Sequence, residues 1–391
     1  MIVTSALPVA TSSNVAPAAA RAAGRETASA CGARGARGAA AAAGAMCDVA
    51  APPAAAVTTA VVGASGYTGA LLTELLLRHP GVSLEQASSA QLAGTPLTAH
   101  LPRLRTGLAF VAPGEVGGVD VAFVCAPHGH AAHEVARLLD GGARVVDLSA
   151  DFRLDAATYA EWYQPHTHPD LLASAVYGLT ELRPSAIAGA NLVANPGCYP
   201  TAALLGLAPL VPLGLLDVVI DAKSGVSGAG KTPSERTHFC SVEGDLVAYA
   251  TGGHRHYPEI VAGLAACERA LPGRHQRQAP SVTFVPHLMP VVRGLVATMY
   301  VRVERLPSAG ALRALYDEAY GDKTFVRVSD APPELKDVVG TNDCRIYVML
   351  DERAGRVLVV AAIDNLMKGA AGQAVQNLNV MCGLPEHWGL S

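Results

Sequence analysis

The scarcity of charged residues, of paired cysteines and of long apolar runs limits the functions that this sequence can have. Only 16% of the 391 residues are charged and the formal net charge is -4, so the clustered basic surface of a nucleic-acid binder is not expected. The eight cysteines form no C-x-x-C pair and no His/Cys cluster at zinc spacing, which fits a reducing compartment and implies no metal. The longest leucine-rich run, Leu204–Leu216, contains two prolines and is too short to span a bilayer. We expect a globular protein that acts on a small molecule, without a membrane or nucleic-acid partner.

The first 56 residues differ in composition from the rest. They are rich in Ala, Ser, Thr and Pro and carry four arginines but only two acids, which is typical of an organelle transit peptide. A secretory signal is less favoured because the first positive charge, Arg21, follows the mildly apolar stretch. A disordered tail without an address is the alternative. The length and light basicity favour the plastid stroma over the mitochondrial matrix, with the mature chain beginning between Met46 and Val57.

A strand, a glycine turn and a helix follow directly. Val57–Val62 is β-branched, the turn reads G-x-x-G-x-x-G, and the stretch from Ala70 to Arg78 has leucines at helical spacing. Such glycines allow a pyrophosphate to approach the N-terminus of the helix, although a plain βα turn has the same pattern. The pattern predicts a dinucleotide site at Gly63, Ser65, Gly66, Tyr67, Thr68 and Gly69.

The end of the next strand, Val82–Ala87, bears on the choice of cofactor. An NAD site commonly has an Asp or Glu there for the ribose 2′-OH, whereas this chain has Ser88 and Ser89. Hydroxyl groups without a carboxylate leave room for a 2′-phosphate, although two serines at a strand end are also ordinary turn residues. We therefore expect NADP.

Apolar strands continue to alternate with helices as far as Leu192–Ala194, which predicts an α/β protein with a doubly wound, Rossmann-type parallel sheet. After Cys198 the chain becomes richer in strands of antiparallel character. We expect an NADP-binding domain at 57–197, completed by a C-terminal helix within 364–391, and a second α+β domain for catalysis, substrate binding and oligomerisation at 198–363, with a mostly antiparallel sheet.

Cys198 lies where an apolar strand meets a helix. It follows Pro196 and Gly197 and precedes the helical segment Ala202–Leu210. Unpaired N–H groups at a helix start stabilise a thiolate, so the position predicts a nucleophile with a lowered pKa, although a lone cysteine is more often a small buried hydrophobe. Further along, His254 and His256 flank Arg255 on a turn before a helix, an arrangement that indicates a polar site.

Several motifs in one order carry a family resemblance. They are NPGCYPT (195–201), SGVSGAGK (224–231), HRHYPEI (254–260), PHLMPVVRG (286–294) and DNLMKGAAGQAVQN (364–377), with DLSADFRL (147–154) and YGLTEL (177–182) in agreement. From residue 57 to its C-terminus the chain resembles the N-acetyl-gamma-glutamyl-phosphate reductases, arginine-pathway relatives of aspartate-semialdehyde dehydrogenase. The N-terminal extension is the one departure from typical bacterial members.

The resemblance implies an NADPH-dependent reduction of an acyl phosphate to an aldehyde through a cysteine thioester. Cys198 would be the nucleophile and His256 the acid/base, with a pKa in the neutral range and with His254 in reserve. Candidates for binding the substrate's phosphate, carboxylate and acetamido groups are Asn195, Arg153, Lys231, His254, Arg255 and Arg293. Ser227, Gly228 and Asn365 would adjoin the nicotinamide, and a homo-oligomer, a dimer or a tetramer, is expected.

Three alternatives stay open at this point. Aspartate-semialdehyde dehydrogenase would perform the same chemistry on a shorter substrate, and the HRHYPEI motif argues against it. A cysteine hydrolase or acyltransferase would use the Cys/His pair without a redox step, which the glycine turn disfavours. A Rossmann-type regulatory or redox-sensing module would bind a dinucleotide without turnover.

Overall fold

The structure is a computed structural model that describes residues 56–272 and 279–390. The predicted transit peptide, apart from its last residue, lies outside the described residues. Two seven-stranded sheets account for the strands of the described chain. No helix in this part of the chain is long and apolar enough to cross a membrane.

The first sheet is parallel throughout and has the order β3-β2-β1-β4-β5-β7-β6. Its strands are short, and the central ones are buried on both faces, which is why Val121–Val124 and Leu192–Ala194 read as unbroken apolar runs. The strands are β1 (Val57–Val62), β2 (Val82–Ser88), β3 (Phe110–Val111), β4 (Val121–Val124), β5 (Arg144–Asp147), β6 (Ala175–Tyr177) and β7 (Leu192–Ala194). The connecting helices are α1 (Tyr67–Leu77), α2 (Leu97–His100), α3 (Ala131–Asp140), α4 (Ala156–Trp162) and α5 (Pro184–Ala188).

Helices cover both faces of this sheet. On one face, α1 packs with residues from the end of the chain in a core that includes Val61, Leu72 and Phe123. On the other face, α3 places Val135 and Leu138 against the alternate residues of the same strands. The predicted doubly wound parallel sheet is therefore confirmed.

The second sheet is mixed and mostly antiparallel, with the order β12-β13-β14-β11-β8-β10-β9. Only the pairs β8–β10 and β12–β13 are parallel. The strands are β8 (Leu215–Gly225), β9 (Val247–Ala248), β10 (Ser281–Met289), β11 (Leu295–Val303), β12 (Val326–Ser329), β13 (Cys344–Asp351) and β14 (Arg356–Ile363). The remaining α-helices are α6 (Cys198–Leu207), α7 (Phe239–Val242), α8 (Tyr257–Arg269), α9 (Ala309–Tyr320) and α10 (Gly372–Met381).

One face of the second sheet is buried and the other is open within this chain. Inward residues such as Met299 and Val301 pack against α6, α8 and α9 in the largest core of the described chain. The alternate residues point outward and keep part of their surface exposed, and Tyr300 is 40% exposed. We call the outward set the open face; it includes Val219, Val296, Tyr300, Leu358 and Val360.

The chain returns to the first sheet at its end. After β14, a π-helical turn (Met367–Ala371) leads into α10. Val375 and Leu378 of α10 share a core with Val61 and Leu72 of the first sheet layer. Helix α10 is thus part of the layer formed by the first sheet and its helices, which we call the first lobe.

Candidate active site

A cleft of about 370 Å³ lies at the carboxyl ends of the strands of the first sheet. It forms where a doubly wound sheet is expected to bind its ligand. The predicted residues that line it are Gly66, Tyr67, Thr68, Gly69, Arg153, Asn195, Cys198, Ser227, Gly228, Lys231, His256 and Asn365. The structure therefore brings the glycine turn and the cysteine turn together, although they are more than 120 residues apart in the chain.

The glycine turn has the geometry of a pyrophosphate site. Gly63 has a φ of +81°, which an L side chain rarely adopts, and a Cβ on Gly69 would lie 2.3 Å from the Gly63 carbonyl oxygen. Helix α1 therefore begins directly against the turn. Its N-cap, Gly66, has no side-chain cap and its first turn has no acid, so its first N–H groups remain available to an anion. The residues present fit a dinucleotide.

The two serines after β2 support this turn instead of facing the cleft. Ser88 is fully buried, and its hydroxyl accepts a hydrogen bond from the Gly63 N–H at 3.3 Å. Ser89 is 3% exposed, and its hydroxyl lies 3.0 Å from that of Ser65. Both hydroxyls bond within the protein, and a direct role of Ser88 and Ser89 in binding the cofactor stays a prediction. What remains of the NADP argument is the lack of an acid at the end of β2.

Cys198 is the first residue of α6, with Gly197 as its N-cap. The helix therefore begins four residues before the predicted start at Ala202. The π-helical turn lies directly against the thiol: a Cβ on Gly369 would come within 2.7 Å of the Cys198 Cβ. The cysteine is half-buried, lines the cleft and is not in a disulfide.

Burial raises the pKa of the Cys198 thiol to about 11. The N–H of Tyr199 and the positive charge of Arg153 act in the opposite direction but do not outweigh desolvation. The lowered pKa expected from the helix start is therefore wrong for this structure, because a single helix end cannot replace the hydration that the buried thiolate loses. A base must take the proton before the sulfur can attack.

His256 is placed to be that base. A Cβ on Gly197 would lie 2.5 Å from its Nε2, so the imidazole packs on the residue that precedes Cys198. His254 does not line the cleft; its Nδ1 accepts a hydrogen bond from the His256 N–H at 3.1 Å, and its ring lies in a neighbouring cavity beside Phe284. Of the two histidines, only His256 shares the cleft with Cys198.

Burial lowers the pKa of His256 well below 6.5, and His254, Arg153 and His128 lower it further. The expectation of a pKa in the neutral range is wrong, because three cationic or potentially cationic groups surround a desolvated ring. A neutral imidazole can accept a proton, and its buried Nδ1 has no hydrogen-bond partner among the described residues. The ring is thus free to use either nitrogen.

Glu259, which the sequence did not single out for a role, holds the cysteine turn in place. It lies in the first turn of α8 and is 2% exposed. Its Oε1 accepts hydrogen bonds from the Gly197 N–H and the Tyr177 hydroxyl, both at 2.8 Å, and its Oε2 lies 3.2 Å from Arg153. The carboxylate therefore fixes the backbone immediately before the thiol.

Arg153 completes this support. Its Nε donates to the Asn195 carbonyl and one Nη donates to the Leu148 carbonyl, both at 2.8 Å, while the other Nη pairs with Glu259. All three nitrogens have partners inside the protein, and the side chain is 5% exposed. The geometry makes Arg153 a clamp on the cysteine turn, in place of the open substrate fork that we expected.

Comparison with known proteins identifies the family. A family model described as semialdehyde dehydrogenase, NAD binding domain, matches residues 58–190, and one described as semialdehyde dehydrogenase, dimerisation domain, matches residues 198–365. The N-acetyl-gamma-glutamyl-phosphate reductase of Desulforudis audaxviator is 47% identical over 346 residues, covering 85% of this chain and 98% of the relative. That of Geobacter sulfurreducens is 47% identical over 345 residues, covering 85% and 97%. The chain belongs to the N-acetyl-gamma-glutamyl-phosphate reductase family.

Solved structures share the fold at much lower identity. Aspartate semialdehyde dehydrogenase II from Vibrio cholerae has a TM-score of 0.65 and 18% identity, covering 84% of this chain and 99% of that one. Aspartate semialdehyde dehydrogenase with NADP from Candida albicans has a TM-score of 0.63 and 14% identity over the same shares. These likenesses concern the fold alone.

The four remaining candidates for substrate binding do not all lie in the cleft. Asn195 lines the cleft and is fixed by bonds to Ala370 and Asn377. Lys231 also lines the cleft, and its Nζ lies 3.0 Å from the Ser65 carbonyl. Arg255 is exposed and stacks on the Tyr163 ring outside the cleft lining, and Arg293 pairs with Asp364 in a separate cleft beside α1. The structure does not bring Arg255 or Arg293 to the thiol.

The residues expected to adjoin the nicotinamide lie together and are linked by hydrogen bonds. Asn365 donates to the Ser227 hydroxyl at 2.9 Å and accepts from the Gly294 N–H at 2.8 Å. Together with Gly228 they line the cleft on the side of the second sheet. Within the described residues, no group of three or more His, Cys, Asp or Glu side chains could hold a metal ion.

Proposed function

We propose that this protein reduces N-acetyl-L-glutamyl 5-phosphate to N-acetyl-L-glutamate 5-semialdehyde and phosphate, an arginine-biosynthetic step that uses NADPH. The observation that carries the proposal is the Cys198 thiol with the His256 imidazole in a cleft that the glycine turn also lines. The names of the relatives at 47% identity give the same activity.

The chemistry begins with a proton transfer from Cys198 to neutral His256. The sulfur attacks the acyl carbonyl, the carbon–oxygen bond to phosphate breaks, and a thioester forms on Cys198 while phosphate leaves. When bound, NADPH supplies the hydride that reduces this thioester. Protonated His256 then gives its proton to the developing oxyanion. The proton returns to His256 as the carbon–sulfur bond breaks and the aldehyde leaves. His256 then passes this proton to the released Cys198 thiolate, which restores the thiol.

The assay that tests this function runs in reverse. N-acetylglutamate semialdehyde, phosphate and NADP should give NADPH, followed by its absorbance, whereas aspartate semialdehyde should give far less. Equal or better turnover of aspartate semialdehyde would favour the dehydrogenase alternative. Release of phosphate from the acyl phosphate without NADPH oxidation would indicate a cysteine hydrolase. No turnover of any substrate, with dinucleotide binding intact, would leave the redox-sensing module.

The preference for NADP over NAD rests on the strand end after β2. No carboxylate follows β2 at residues 88–93, so nothing acidic there would repel a 2′-phosphate. The ratio of kcat/KM with NADPH to that with NADH should exceed about 10, a difference of about 1.4 kcal/mol. An equal ratio would remove this part of the proposal.

Assembly into a homodimer would use the open face of the second sheet. Tyr300 lies between Val219 and Leu358 in register, so these outward side chains form an apolar patch, which Asp221 and Lys223 adjoin opposite Thr298 and Val296. The family description of residues 198–365 as a dimerisation domain supports this choice. Val296→Glu should shift the mass measured by light scattering toward the monomer; an unchanged mass would point to another interface.

Delivery to the plastid stroma is proposed from the composition of residues 1–56 alone, with the mitochondrial matrix as the alternative. A fusion of these residues to a fluorescent protein should enter plastids and be shortened between Met46 and Val57. Retention in the cytosol would contradict the proposal, and mitochondrial import would select the alternative.

A further inference from the structure

His128 is a second imidazole in the cleft, and the reaction sketched above does not use it. It follows the carboxyl end of β4, is open to solvent and lines the cleft together with Cys198 and His256. In the chain it lies 70 residues before the nucleophile, within the short segment Ala126–His130. Its position alone would not distinguish a ligand-binding ring from a merely exposed one.

The hydrogen bonding of His128 fixes which nitrogen carries the proton. Its Nδ1 lies 2.9 Å from the Ala150 backbone nitrogen. A backbone N–H can only donate, so Nδ1 must present its lone pair and the proton of the neutral ring lies on Nε2. Tyr163 packs edge-on against the ring at a centroid distance of 5.5 Å and limits its rotation. His128 is therefore a fixed donor with Nε2–H as its free end.

Desolvation in the cleft, followed by the neighbouring positive charges, keeps His128 neutral. The cleft walls, and then Arg153 and Arg255, lower its pKa to about 4, while Asp151 acts in the opposite direction. At neutral pH the ring has no proton to give up easily and no free lone pair to accept one. A neutral imidazole of this kind acts as a hydrogen-bond donor, as in other enzymes in which a histidine polarises an oxygen without titrating.

His256 differs in the features that matter. Its Nδ1 has no partner among the described residues and its Nε2 faces the cysteine turn, so no hydrogen bond at Nδ1 fixes its tautomer. Of the two imidazoles in the cleft, His256 can thus carry a proton, whereas His128 is a fixed hydrogen-bond donor. A fixed donor suits a group that must be held in place and not protonated.

The order of strands in the first sheet gives the distance between the turn that carries this donor and the turn that carries the thiol. Strands β4, β5 and β7 are neighbours, so the turns that carry His128 and Cys198 lie roughly 10 Å apart, two strand spacings. A substrate whose carbonyl meets the sulfur would extend a charged group toward His128. We propose that His128 is a substrate-binding residue whose Nε2–H donates to an anionic oxygen of the substrate, on either its phosphoryl group or its carboxylate. The proposal rests on the proposed function.

Two substitutions separate the two nitrogens of the ring. His128→Asn keeps an acceptor for the Ala150 N–H but has no donor at the ε position, whereas His128→Gln keeps the ε donor. In the reverse assay, phosphate and the semialdehyde have separate KM values. His128→Asn should raise one of them about ten- to a hundredfold, the usual effect of losing a hydrogen bond to a charged group, and His128→Gln should recover most of the loss.

The affected KM identifies the anion. A rise confined to phosphate assigns the donor to the phosphoryl group, and a rise confined to the semialdehyde assigns it to the carboxylate. Wild-type KM values in His128→Asn would overturn the proposal, as would a His128→Gln variant as impaired as His128→Asn, which would indicate ring packing. Equal thermal unfolding of both variants controls for folding, which the exposed position of the residue favours.

A measurement without turnover keeps this test independent of the proposed function. Phosphate or N-acetylglutamate should slow the alkylation of Cys198 by iodoacetamide in the wild type, and His128→Asn should need about tenfold more of one of them for the same protection. If the wild type shows protection but no turnover, the proposed function fails and the assignment of His128 as an anion donor stands. Equal protection of the variant and the wild type would overturn the assignment.

Discussion

The glycine turn after β1 and the cysteine turn after β7 are built alike and held differently. Both join a parallel strand to a helix through glycine, and both reach the same cleft. The glycine turn is stabilised by backbone contacts and by Ser88, and it leaves helix N–H groups available. The cysteine turn is held by the buried residues Glu259 and Asn195 and by Arg153, whose side chain is 5% exposed.

The difference follows from what each turn has to do. A dinucleotide enters and leaves, so its turn needs free donors and room for the ligand, which glycine supplies. A nucleophile must stay aligned while its acyl group passes through several states, and buried hydrogen bonds to the turn restrict its movement. The same strand–turn–helix unit therefore serves reversible binding in one place and covalent chemistry in the other.

The largest expected effect comes from a change in the cysteine turn that leaves the glycine turn intact. Cys198→Ser should lower kcat by at least about 10⁴-fold, because the hydroxyl is a far weaker nucleophile that His256 cannot readily deprotonate. The Kd for NADPH, measured by fluorescence titration, should stay within about twofold of the wild type. A loss of NADPH binding in this variant would show that the two turns are not independent.

Removing the charge that holds the cysteine turn should come next. Glu259→Gln keeps the shape and one acceptor but leaves the Arg153 charge unpaired in the interior, which should cost about 3–5 kcal/mol of unfolding free energy in urea. Tyr177→Phe is the matched control, because it removes a neutral donor to the same carboxylate and should cost about 1 kcal/mol. Equal losses in the two variants would mean that the ion pair adds nothing.

A methyl group on the glycine turn should act on the cofactor site and not on Cys198. Gly69→Ala places a Cβ 2.3 Å from the Gly63 carbonyl oxygen, so the start of α1 must shift, and the Kd for NADPH should rise about tenfold, or about 1.4 kcal/mol. Gly117→Ala, where a Cβ would meet nothing within 4 Å, is the control. The comparison breaks if Gly69→Ala slows the alkylation of Cys198 by iodoacetamide as much as it weakens cofactor binding.

The smallest effect is a pH dependence located at the cysteine side. Burial lowers the pKa of His254 to about 4, whereas it is 6.5 in the unfolded chain, so the unfolded state binds the proton between these values. Stability due to His254 is present above pH 6.5 and is lost as the pH falls toward 4, by about 1.4 kcal/mol per pH unit. Asp147, whose pKa burial raises to about 7, gains stability over the same range, so the wild type alone mixes both signs.

His254→Asn isolates the histidine. The variant keeps an acceptor for the His256 N–H but has no titrating ring. The difference in unfolding free energy between wild type and variant, measured in urea from pH 7 to 4, should change with the slope given above. A constant difference would mean that His254 titrates alike in the folded and unfolded states.

Much of the fold could be predicted from the sequence because short stretches of residues determine many of its strands and turns. The bounds predicted for β1 and β7 match the structure, since each is a short apolar run that ends in glycine or proline signals. The strands β12 and β13 were not predicted. β13 pairs with β14 in a local hairpin, with Asp351 opposite Arg356, and was missed despite that signal. β12 is a short edge strand whose position depends on its parallel pairing with β13.

The electrostatics of the site could not be predicted in the same way. Cys198 at a helix start and His256 on a turn were found from spacing, yet both pKa expectations failed because burial comes from residues far away in the chain. Glu259 and Arg153 are 106 residues apart, and nothing local reveals their pairing. His128 did carry a local signal, its place after a parallel strand, where ligands of such sheets gather.

The return of the chain to the first sheet has a consequence for synthesis on the ribosome. Leu72 and Val61 share their core with Val375 and Leu378, which are translated after both turns. The first lobe therefore stays incomplete, with an apolar surface exposed, until α10 has been translated. A premature stop before residue 372 would leave a chain that contains every residue of both turns and still lacks the helix that closes its first lobe.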